Sequence, residues 1–140
     1  MKTFNKRARF DYQILEKLEA GISLTGGEAR AVRTGHINLT GSFVKIINKE
    51  AYLVNANIPV PNKRYYDPTA SRKLLLHKGQ ILDLLTKTKQ KKLTLVPISV
   101  YTKRRLIKLE LALAKSKRMF EKKEAQKKAD IQRDTDLELK

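Results

Sequence analysis

The chain has 140 residues, which is enough for one domain with a core of limited size. Its 31 lysine and arginine residues against 14 acidic ones give a net charge of +17, and because such a charge opposes compaction, a polyanionic partner is expected. Cysteine is absent, which excludes disulfides and cysteine-based zinc sites, and no segment reaches the ~18 apolar residues of a membrane-spanning helix, so a nucleic acid is favoured over a membrane.

Alternating apolar residues over 10–24 predict the first strand. Seven apolar side chains fall on one parity, with Glu16 as the single break, which is the period of a half-buried strand. A Gly-Gly pair ends this strand. The following segment, 28–34, predicts a short helix that stops at Gly35.

Two β-rich runs, 43–47 and 51–58, predict a hairpin joined through residues 48–50. Lys49 weakens this turn signal, because a lysine resists a positive φ. Three prolines follow the hairpin and predict an irregular connection that contains two adjacent tyrosines.

Ser71 can cap a predicted helix that begins with the run RKLLLHK. Apolar residues at spacings of three, four and seven give this helix one buried face, made of Leu74, Leu75, Ile81, Leu82 and Leu85.

The runs 93–102 and 106–113 predict a second hairpin, joined by residues 103–105. In the second run apolar residues alternate cleanly with charged ones, as a half-buried strand requires. Pro97 cannot donate to a sheet ladder and is therefore predicted at an edge or a bulge.

After Lys115 the sequence has good helix formers without a broad apolar stripe, so this segment alone in water is expected to be disordered or partly helical. Five or six short strands, one interrupting helix and no βαβ rhythm predict a mainly β fold with short helices, an OB-like β-barrel. The predicted domains are a barrel at 1–114 and a basic C-terminal tail at 115–140, which we expect to fold against a partner.

Catalysis is not expected. His36 lies in a turn. His77 and a potential nucleophile, Ser71, would lie on the same short predicted helix, which is weak support for a catalytic pair. No Gly-rich phosphate loop and no cluster of metal ligands is visible, so neither a cofactor nor a metal is predicted. The basic N-terminus is not followed by the apolar segment of a signal peptide, which favours a cytoplasmic location.

Positive charge is spread along the chain: residues 1–102 carry 18 basic and 7 acidic side chains, and residues 103–140 carry 13 and 7. Three clusters suit RNA: an arm before the first strand (Asn5, Lys6, Arg7, Arg9), a basic pair beside two tyrosines (Lys63, Arg64, Tyr65, Tyr66), and the predicted helix N-terminus (Arg72, Lys73, His77, Lys78). Each cluster alone could be a solvated surface. Together they favour phosphate contacts, with base stacking on the tyrosines.

The chain closely resembles the SsrA-binding protein family in five runs: NKRARFDYQI (5–14), LEAGISLTGGEARAVRTG (18–35), DPTASRKLLLHK (67–78), LTLVPISVYTK (93–103) and KLELALAKSKRMFEKKE (108–124). Members of that family bind transfer-messenger RNA and rescue stalled bacterial ribosomes. The likeness spans nearly the whole chain, in order and at matching spacing.

This resemblance implies an OB-like barrel that binds the tRNA-like domain of transfer-messenger RNA and stands in for the codon–anticodon half that this RNA lacks. It links Asn5, Glu19 and Leu75 to RNA binding. Because a carboxylate is unexpected in an RNA site, the alternative is that Glu19 orders nearby basic side chains. The resemblance further implies that the tail enters the empty mRNA channel beside the decoding region of the small ribosomal subunit. A translation elongation factor is the expected partner on the charged RNA complex.

The predicted RNA-binding residues are Asn5, Lys6, Arg7, Arg9, Glu19, Arg30, Arg33, Arg72, Lys73, Leu75, His77 and Lys78. The predicted ribosome-contacting residues of the tail are Lys115, Lys117, Arg118, Phe120, Glu121, Lys122, Lys123, Lys127 and Lys128. The tail departs from the family pattern at Phe120, where His or Tyr is common, and at 121–123, where Glu-Lys-Lys replaces Asp-Lys-Arg. The predicted function is that of an RNA-binding adaptor of trans-translation. The alternatives are a generic ribosomal or translation-factor OB protein and, more distantly, a nuclease.

Overall fold

The structure is a computed structural model that describes residues 2–117. The prediction of a helical or disordered tail therefore lies, from residue 118 onward, outside the described residues. In chain order the elements are β1 (Lys2–Phe4), α1 (Ala8–Asp11), β2 (Tyr12–Ile22), α2 (Gly26–Arg33), β3 (Phe43–Ile47), β4 (Glu50–Val54), β5 (Arg72–Leu75), α3 (Lys78–Lys91), β6 (Thr94–Lys103) and β7 (Leu106–Ser116).

Seven strands form one antiparallel sheet that closes on itself. The strand order is β1-β6-β3-β4-β5-β2-β7, and an additional pairing joins β7 to β6. Six strands thus form a ring, and β1 adds to one side of β6. Closure satisfies the backbone hydrogen bonds that an open sheet would leave exposed at its edges. The mainly β fold and the OB-like barrel predicted from the sequence are confirmed.

The barrel interior is filled by aliphatic side chains from all six strands of the ring. Leu53 of β4, Leu74 of β5 and Leu111 of β7 are each at most 1% exposed. Val32 of α2 and Leu84 of α3 belong to the same cluster. Burial of one such side chain contributes about 1.5–3 kcal/mol relative to exposure, so this cluster is the main source of stability.

A second, smaller apolar cluster packs on the outer side of the barrel wall formed by β2, β6 and β7. Its buried members are Ala8, Val96, Ile98, Ala112 and Ala114. The two alanines of β7 alternate along the strand with leucines of the main core, and successive side chains of a strand point to opposite faces. The segment from β1 to α1 therefore covers part of the outer wall.

Two β-bulges let the long strands serve both clusters. In β2 the register shifts between Ile14 and Glu16, and in β6 it shifts between Pro97 and Ser99. The prediction that Pro97 lies at an edge or a bulge is confirmed. The prediction of one buried face along 10–24 is wrong, because a bulge inserts an extra residue and reverses which side the following residues face.

Both predicted hairpins are present, and each has a two-residue turn. Asn48 and Lys49 join β3 to β4, with φ of 51° and 63°, and Arg104 and Arg105 join β6 to β7, with φ of 50° and 67°. Two positive φ values identify a type I′ turn, which favours Asn-Gly. A lysine or arginine adopts this region at a cost of about 1 kcal/mol.

The prediction of a helix that begins after Ser71 is wrong for its first residues. Residues 72–75 form β5, and α3 begins at Lys78. Buried and exposed side chains alternate along β5, so that Leu74 is buried whereas Leu75 is 57% exposed. Because β5 pairs with β2 on one side and β4 on the other, ladder hydrogen bonds outweigh the helical spacing of its leucines.

A buried ion pair joins α2 to β5. The Arg72 guanidinium lies 2.7 Å from the Glu28 carboxylate, and both side chains are less than a tenth exposed. Arg72 also donates to the carbonyls of Ala56 at 2.7 Å and Pro68 at 2.9 Å. One guanidinium therefore ties the helix, the strand and the irregular connection 55–71 together.

The Glu28 carboxylate is held in its ionised form. Burial acts to raise its pKa, but hydrogen bonds from the Thr25 N–H, at 3.0 Å, and from Arg72 outweigh burial and hold the pKa of this carboxyl below its ordinary value. In return the Glu28 N–H donates to the Thr25 hydroxyl at 3.3 Å, and this capping box begins α2 at Gly26 rather than at residue 28. Because the pKa is lower in the folded state, the ion pair stabilises the fold at neutral pH and loses that effect as the pH falls through this pKa.

The barrel continues past the predicted boundary at residue 114. Lys115 and Ser116 belong to β7, where they pair with Gln13 and Tyr12 of β2. The following backbone N–H, that of Lys117, donates to the Asp11 carbonyl at 3.0 Å. The described part of the barrel therefore extends to residue 117.

Substitution Arg72→Ala should strongly destabilise the protein, because it leaves the Glu28 carboxylate buried without its partner. We expect a loss of about 3–5 kcal/mol in the free energy of unfolding, measured by urea denaturation at pH 7. The control is Arg64→Ala, at an exposed position, which should change stability by less than about 0.5 kcal/mol. Equal effects of the two substitutions would contradict the structural role of Arg72.

Candidate nucleic-acid interface

Five of the twelve predicted RNA-binding residues line one open groove beside β5 and the start of α3: Glu19, Lys73, Leu75, His77 and Lys78. We call it the β5 groove. Its other lining residues are Gly21, Lys49, Glu50, Leu74, Leu76, Gln80, Ile81 and Lys108.

The alternation of β5 places two of these side chains on the groove. Arg72 and Leu74 are buried, so Lys73 and Leu75 between and after them are exposed. Gly21 is the register partner of Leu75 on β2, and a Cβ at residue 21 would lie 3.2 Å from the Leu75 Cβ. The absence of a side chain at Gly21 therefore leaves room for Leu75 at the groove wall.

The N-terminus of α3 supplies the adjoining wall. His77 is the N-cap residue, and its N–H donates to the Gln80 side-chain oxygen at 3.0 Å. Lys78 is the first helical residue. Because a helix N-terminus carries partial positive charge, it adds to the potential of Lys78 in the groove.

Charge in the β5 groove is mainly positive, with four lysines and two carboxylates: Lys49, Lys73, Lys78, Lys108, Glu19 and Glu50. Lys73 pairs with Glu50 at 3.0 Å. Among the described residues the other three lysines form no ion pair. Three ammonium groups are therefore available to an anionic ligand.

Two neighbours lower the pKa of the Glu50 carboxyl. The Tyr52 hydroxyl donates to its carboxylate at 2.7 Å, and this hydrogen bond, followed by the one from Lys73, lowers the pKa of Glu50. The same hydrogen bond raises the pKa of Tyr52. Glu50 therefore balances Lys73 at neutral pH.

The pKa of the Glu19 carboxyl, at the groove wall, is likewise lowered. The Tyr101 hydroxyl donates to its carboxylate, and the Lys103 ammonium lies 3.6 Å from the same oxygen. The Tyr101 hydrogen bond is the main cause of the lowered pKa of Glu19, and Lys103 and Lys108 add to it. Burial and the bond to Glu19 raise the pKa of Tyr101. This geometry fits the alternative in which Glu19 orders a basic side chain, since it holds Lys103.

Asn5 anchors the N-terminal arm to the bulge of β6. Its Nδ2 donates to the Pro97 carbonyl at 2.9 Å, and its backbone N–H donates to the Ile98 carbonyl at 2.7 Å. Its Oδ1 is buried and has no hydrogen-bond partner among the described residues. The Asn5 side chain thus positions the arm in this structure.

The basic residues of the arm line a surface other than the β5 groove. Lys6 and Arg9 are exposed, and Arg7 pairs with Asp11 at 3.4 Å. Arg9 lines a second groove together with Lys17, Lys117 and neighbouring residues of β2. The arm and the groove beside β5 are therefore two separate concentrations of positive charge.

The two arginines of α2 are exposed and also lie outside the β5 groove. Arg33 donates to the Arg105 carbonyl at 2.8 Å, which links α2 to the turn between β6 and β7. Arg30 lines a pocket beside Pro59 and Val60.

Arg72 is the clearest correction to the predicted site. It was expected at a helix N-terminus, facing phosphate, but it lies in a strand, is 3% exposed and is paired with Glu28. Tyr66, expected to stack on a base, is half-buried, and its hydroxyl donates to the Ile58 carbonyl at 2.6 Å. Its neighbour Tyr65 is fully exposed.

Sequence reasoning missed Lys49 and Lys108. Lys49 lies in the turn between β3 and β4, where a positive φ is unfavourable for lysine, so its position indicated a poor turn and not a binding residue. Lys108 could have been found, because the alternation that buries Leu109 and Leu111 puts it on the outer face of β7. Its position beside Gly21 depends on the β2–β7 pairing, which the sequence alone does not give.

Two of the predicted tail residues are described. Lys115 lies in β7, and the Lys117 ammonium donates to the Arg9 carbonyl at 2.7 Å. The remaining positions lie outside the described residues: Arg118, Phe120, Glu121, Lys122, Lys123, Lys127 and Lys128.

Within residues 2–117, no three side chains of the metal-ligating types come together closely enough to hold a metal ion. In the same part of the chain, no helix is both long and apolar enough to cross a membrane.

The closed ring of strands and the lysine-lined groove define a class: small, basic β-barrels of the OB type with a surface suited to a polyanion. The family model described as "SmpB protein" matches residues 2–140. The chain belongs to the SmpB protein family, and the resemblance found in the sequence is confirmed.

Individual relatives agree with this membership. The SsrA-binding protein of Sulfurihydrogenibium sp. (strain YO3AOP1) is 50% identical over 139 residues, which cover 97% of this chain and 91% of that protein. The SsrA-binding protein of Wolinella succinogenes is 46% identical, over 97% of this chain and 93% of its own length. A solved structure described as "tmRNA-SmpB: a journey to the center of the bacterial ribosome" contains a chain 45% identical to this one. Its TM-score is 0.69, and the match covers 89% of this chain and 93% of that chain.

Substitution Tyr101→Phe should raise the pKa of Glu19 toward its ordinary value, because it removes the hydrogen bond that contributes most to the lowering. The measurement is a side-chain carboxyl titration by NMR. Tyr52→Phe is the matched control, since it should raise the pKa of Glu50 and leave that of Glu19 unchanged. A Glu19 pKa that is unaffected by Tyr101→Phe would show that the hydrogen bond does not govern this carboxylate.

Proposed function

We propose that this chain is an RNA-binding adaptor of trans-translation, which binds transfer-messenger RNA through the β5 groove and delivers it to stalled ribosomes. The observation that carries the proposal is the groove itself, in which three lysines without ion-pair partners in the described part of the chain surround the exposed Leu75. Membership of the SmpB family supports the identity of the RNA, as does the likeness to SsrA-binding proteins and to a chain of a tmRNA-SmpB structure.

Each group in the groove has a role that follows from its chemistry. Lys49, Lys78 and Lys108 bind phosphates of the tRNA-like domain as cations. Leu75 packs against an unstacked base or a ribose, which buries an otherwise exposed apolar side chain. Glu19 repels phosphate and, as an ionised acceptor, takes a hydrogen bond from an N–H group of a base edge. The groove therefore favours a particular RNA surface over an arbitrary polyanion.

The other basic surfaces extend this contact. Lys6, Arg7 and Arg9 of the arm and Arg30 and Arg33 of α2 lie at the barrel surface, where they can bind further backbone phosphates. Their contribution is electrostatic and independent of sequence, so it adds affinity more than selectivity.

The tail is proposed as the ribosome-contacting part of the protein. The residues after the described barrel, 118–140, would enter the empty mRNA channel beside the decoding region, while a translation elongation factor accompanies the charged RNA complex. The family membership supports this division. The protein would act in the cytoplasm, where it meets ribosomes, and its role is to bind and position RNA rather than to catalyse a reaction.

A preference for transfer-messenger RNA over an ordinary tRNA tests the proposal against a generic translation-factor barrel. Competition binding with the full chain should favour transfer-messenger RNA, and equal competition by both RNAs would support the generic alternative.

Lys78→Ala should weaken binding and reduce the slope of log affinity against log salt by about 1, because one phosphate contact is lost. Lys89→Ala, near the opposite end of α3, is the matched control and should change the slope little.

Truncation after Lys117 separates the two proposed parts. Because β7 ends at Ser116, this truncation keeps the described barrel intact, whereas removal from Lys115 would shorten a paired strand. Binding to the tRNA-like domain should remain within about a factor of three, and rescue of stalled ribosomes in a reconstituted translation assay should be lost. Equal loss of both activities would contradict the division of labour.

A further inference from the structure

The turn between β6 and β7 places two arginines where the backbone opposes them. Arg104 and Arg105 have φ of 50° and 67°, in a type I′ turn for which Asn-Gly is the favoured pair. A turn that only reversed the chain would be more stable with Asn-Gly. Strained positions that persist in a fold are often found where a side chain has another role.

Both arginine side chains of this turn are exposed to solvent. Each is exposed, and among the ion pairs of residues 2–117 none involves Arg104 or Arg105. Arg33 of α2 donates to the Arg105 carbonyl at 2.8 Å, and this hydrogen bond holds the turn against α2. The turn is therefore an exposed, positively charged segment whose backbone is hydrogen-bonded to α2.

The turn also adjoins the β5 groove. Lys103, the residue before it, lies 3.6 Å from Glu19 of the groove wall. Lys108, on the other strand of the hairpin, lines the groove three residues after Arg105, which is about 10 Å along a strand. One RNA strand of a few nucleotides can therefore span both the groove and the turn.

We propose that Arg104 and Arg105 form a phosphate-binding extension of the β5 groove, which binds the backbone of the same RNA that occupies the groove. This inference rests on the proposed function and adds a site to it. The lost turn stability is offset when RNA is bound, because two guanidinium groups gain phosphate partners.

The test is the double substitution Arg104→Asn and Arg105→Gly in the full chain. It should raise the melting temperature by about 2–6 °C, because the turn then has its favoured residues. It should at the same time weaken binding to the tRNA-like domain of transfer-messenger RNA and reduce the slope of log affinity against log salt by about 1–2. A variant that folds more stably and binds less tightly cannot owe its weaker binding to misfolding.

The matched control is Arg104→Lys with Arg105→Lys, which keeps both charges and both strained positions, and should leave the melting temperature and the salt slope nearly unchanged. Unchanged RNA affinity in the Asn-Gly variant would overturn the inference, and so would a loss confined to binding of the small ribosomal subunit. An unchanged melting temperature would remove the strain argument on which the inference stands. Failure of the proposed function is distinguishable, because the unsubstituted chain itself would then show no preference for transfer-messenger RNA.

Discussion

The buried pair of Arg72 and Glu28 is the constraint on which the arrangement of the candidate site depends. A buried ion pair is weak support for stability as such, since desolvation of both charges offsets much of their attraction. Its value here is geometric. The Arg72 guanidinium donates hydrogen bonds to Glu28 on α2 and to three residues of the connection before β5: Ala56, Tyr66 and Pro68. These bonds determine which face of β5 is buried. With Arg72 turned in, Lys73 and Leu75 must turn out, and the β5 groove acquires two of its side chains.

The alternation of inward and outward side chains also determines how the outer wall of the barrel is covered. Leu111 and Leu113 of β7 fill the interior, and the alanines between and after them face outward, where small side chains allow the arm and α1 to pack closely. Because of the bulge in β2, Tyr12 and Ile14 face this outer cluster as well. One part of the outer wall is thus covered by apolar contacts, and the other part, from Lys108 to the turn at 104–105, is the part to which the proposed RNA contacts are assigned.

The sequence predicted those features that depend on local chemistry. Alternation and charged turns predict both hairpins, and the predicted stop of the short helix at Gly35, which has a φ of 84°, is confirmed. The run of leucines at 74–76 misled, because helical spacing and a short strand cannot be separated in so few residues, and the pairing of β5 with two neighbours decides between them. The burial of Arg72 could not be predicted from the sequence either, since its partner Glu28 is 44 residues away in the chain.

For the candidate site, the sequence identifies the basic residues but not which of them lie together. The basic residues near β5 and α3 share one groove, but those of the arm and of α2 lie on other surfaces, because only the strand order determines which segments meet. A count of charges treats Arg72 and Lys73 alike, although one is paired in the interior and the other lies at the surface. The net charge of +17 therefore indicates a polyanionic partner, whereas only the topology shows which basic residues share a surface.

Carboxylates make the groove more than a basic patch. A groove lined by lysine alone would attract any polyanion, and its affinity would depend on salt far more than on the identity of the RNA. Glu19 and Glu50 interrupt that potential at fixed points, because Tyr101 and Tyr52 each donate a hydrogen bond that holds one carboxylate in place. In the proposed complex with RNA, a backbone that brings phosphate to either point would be disfavoured and one that presents base or ribose donors there would be accepted, so the fixed negative charges would select among RNA surfaces that the lysines alone would bind equally.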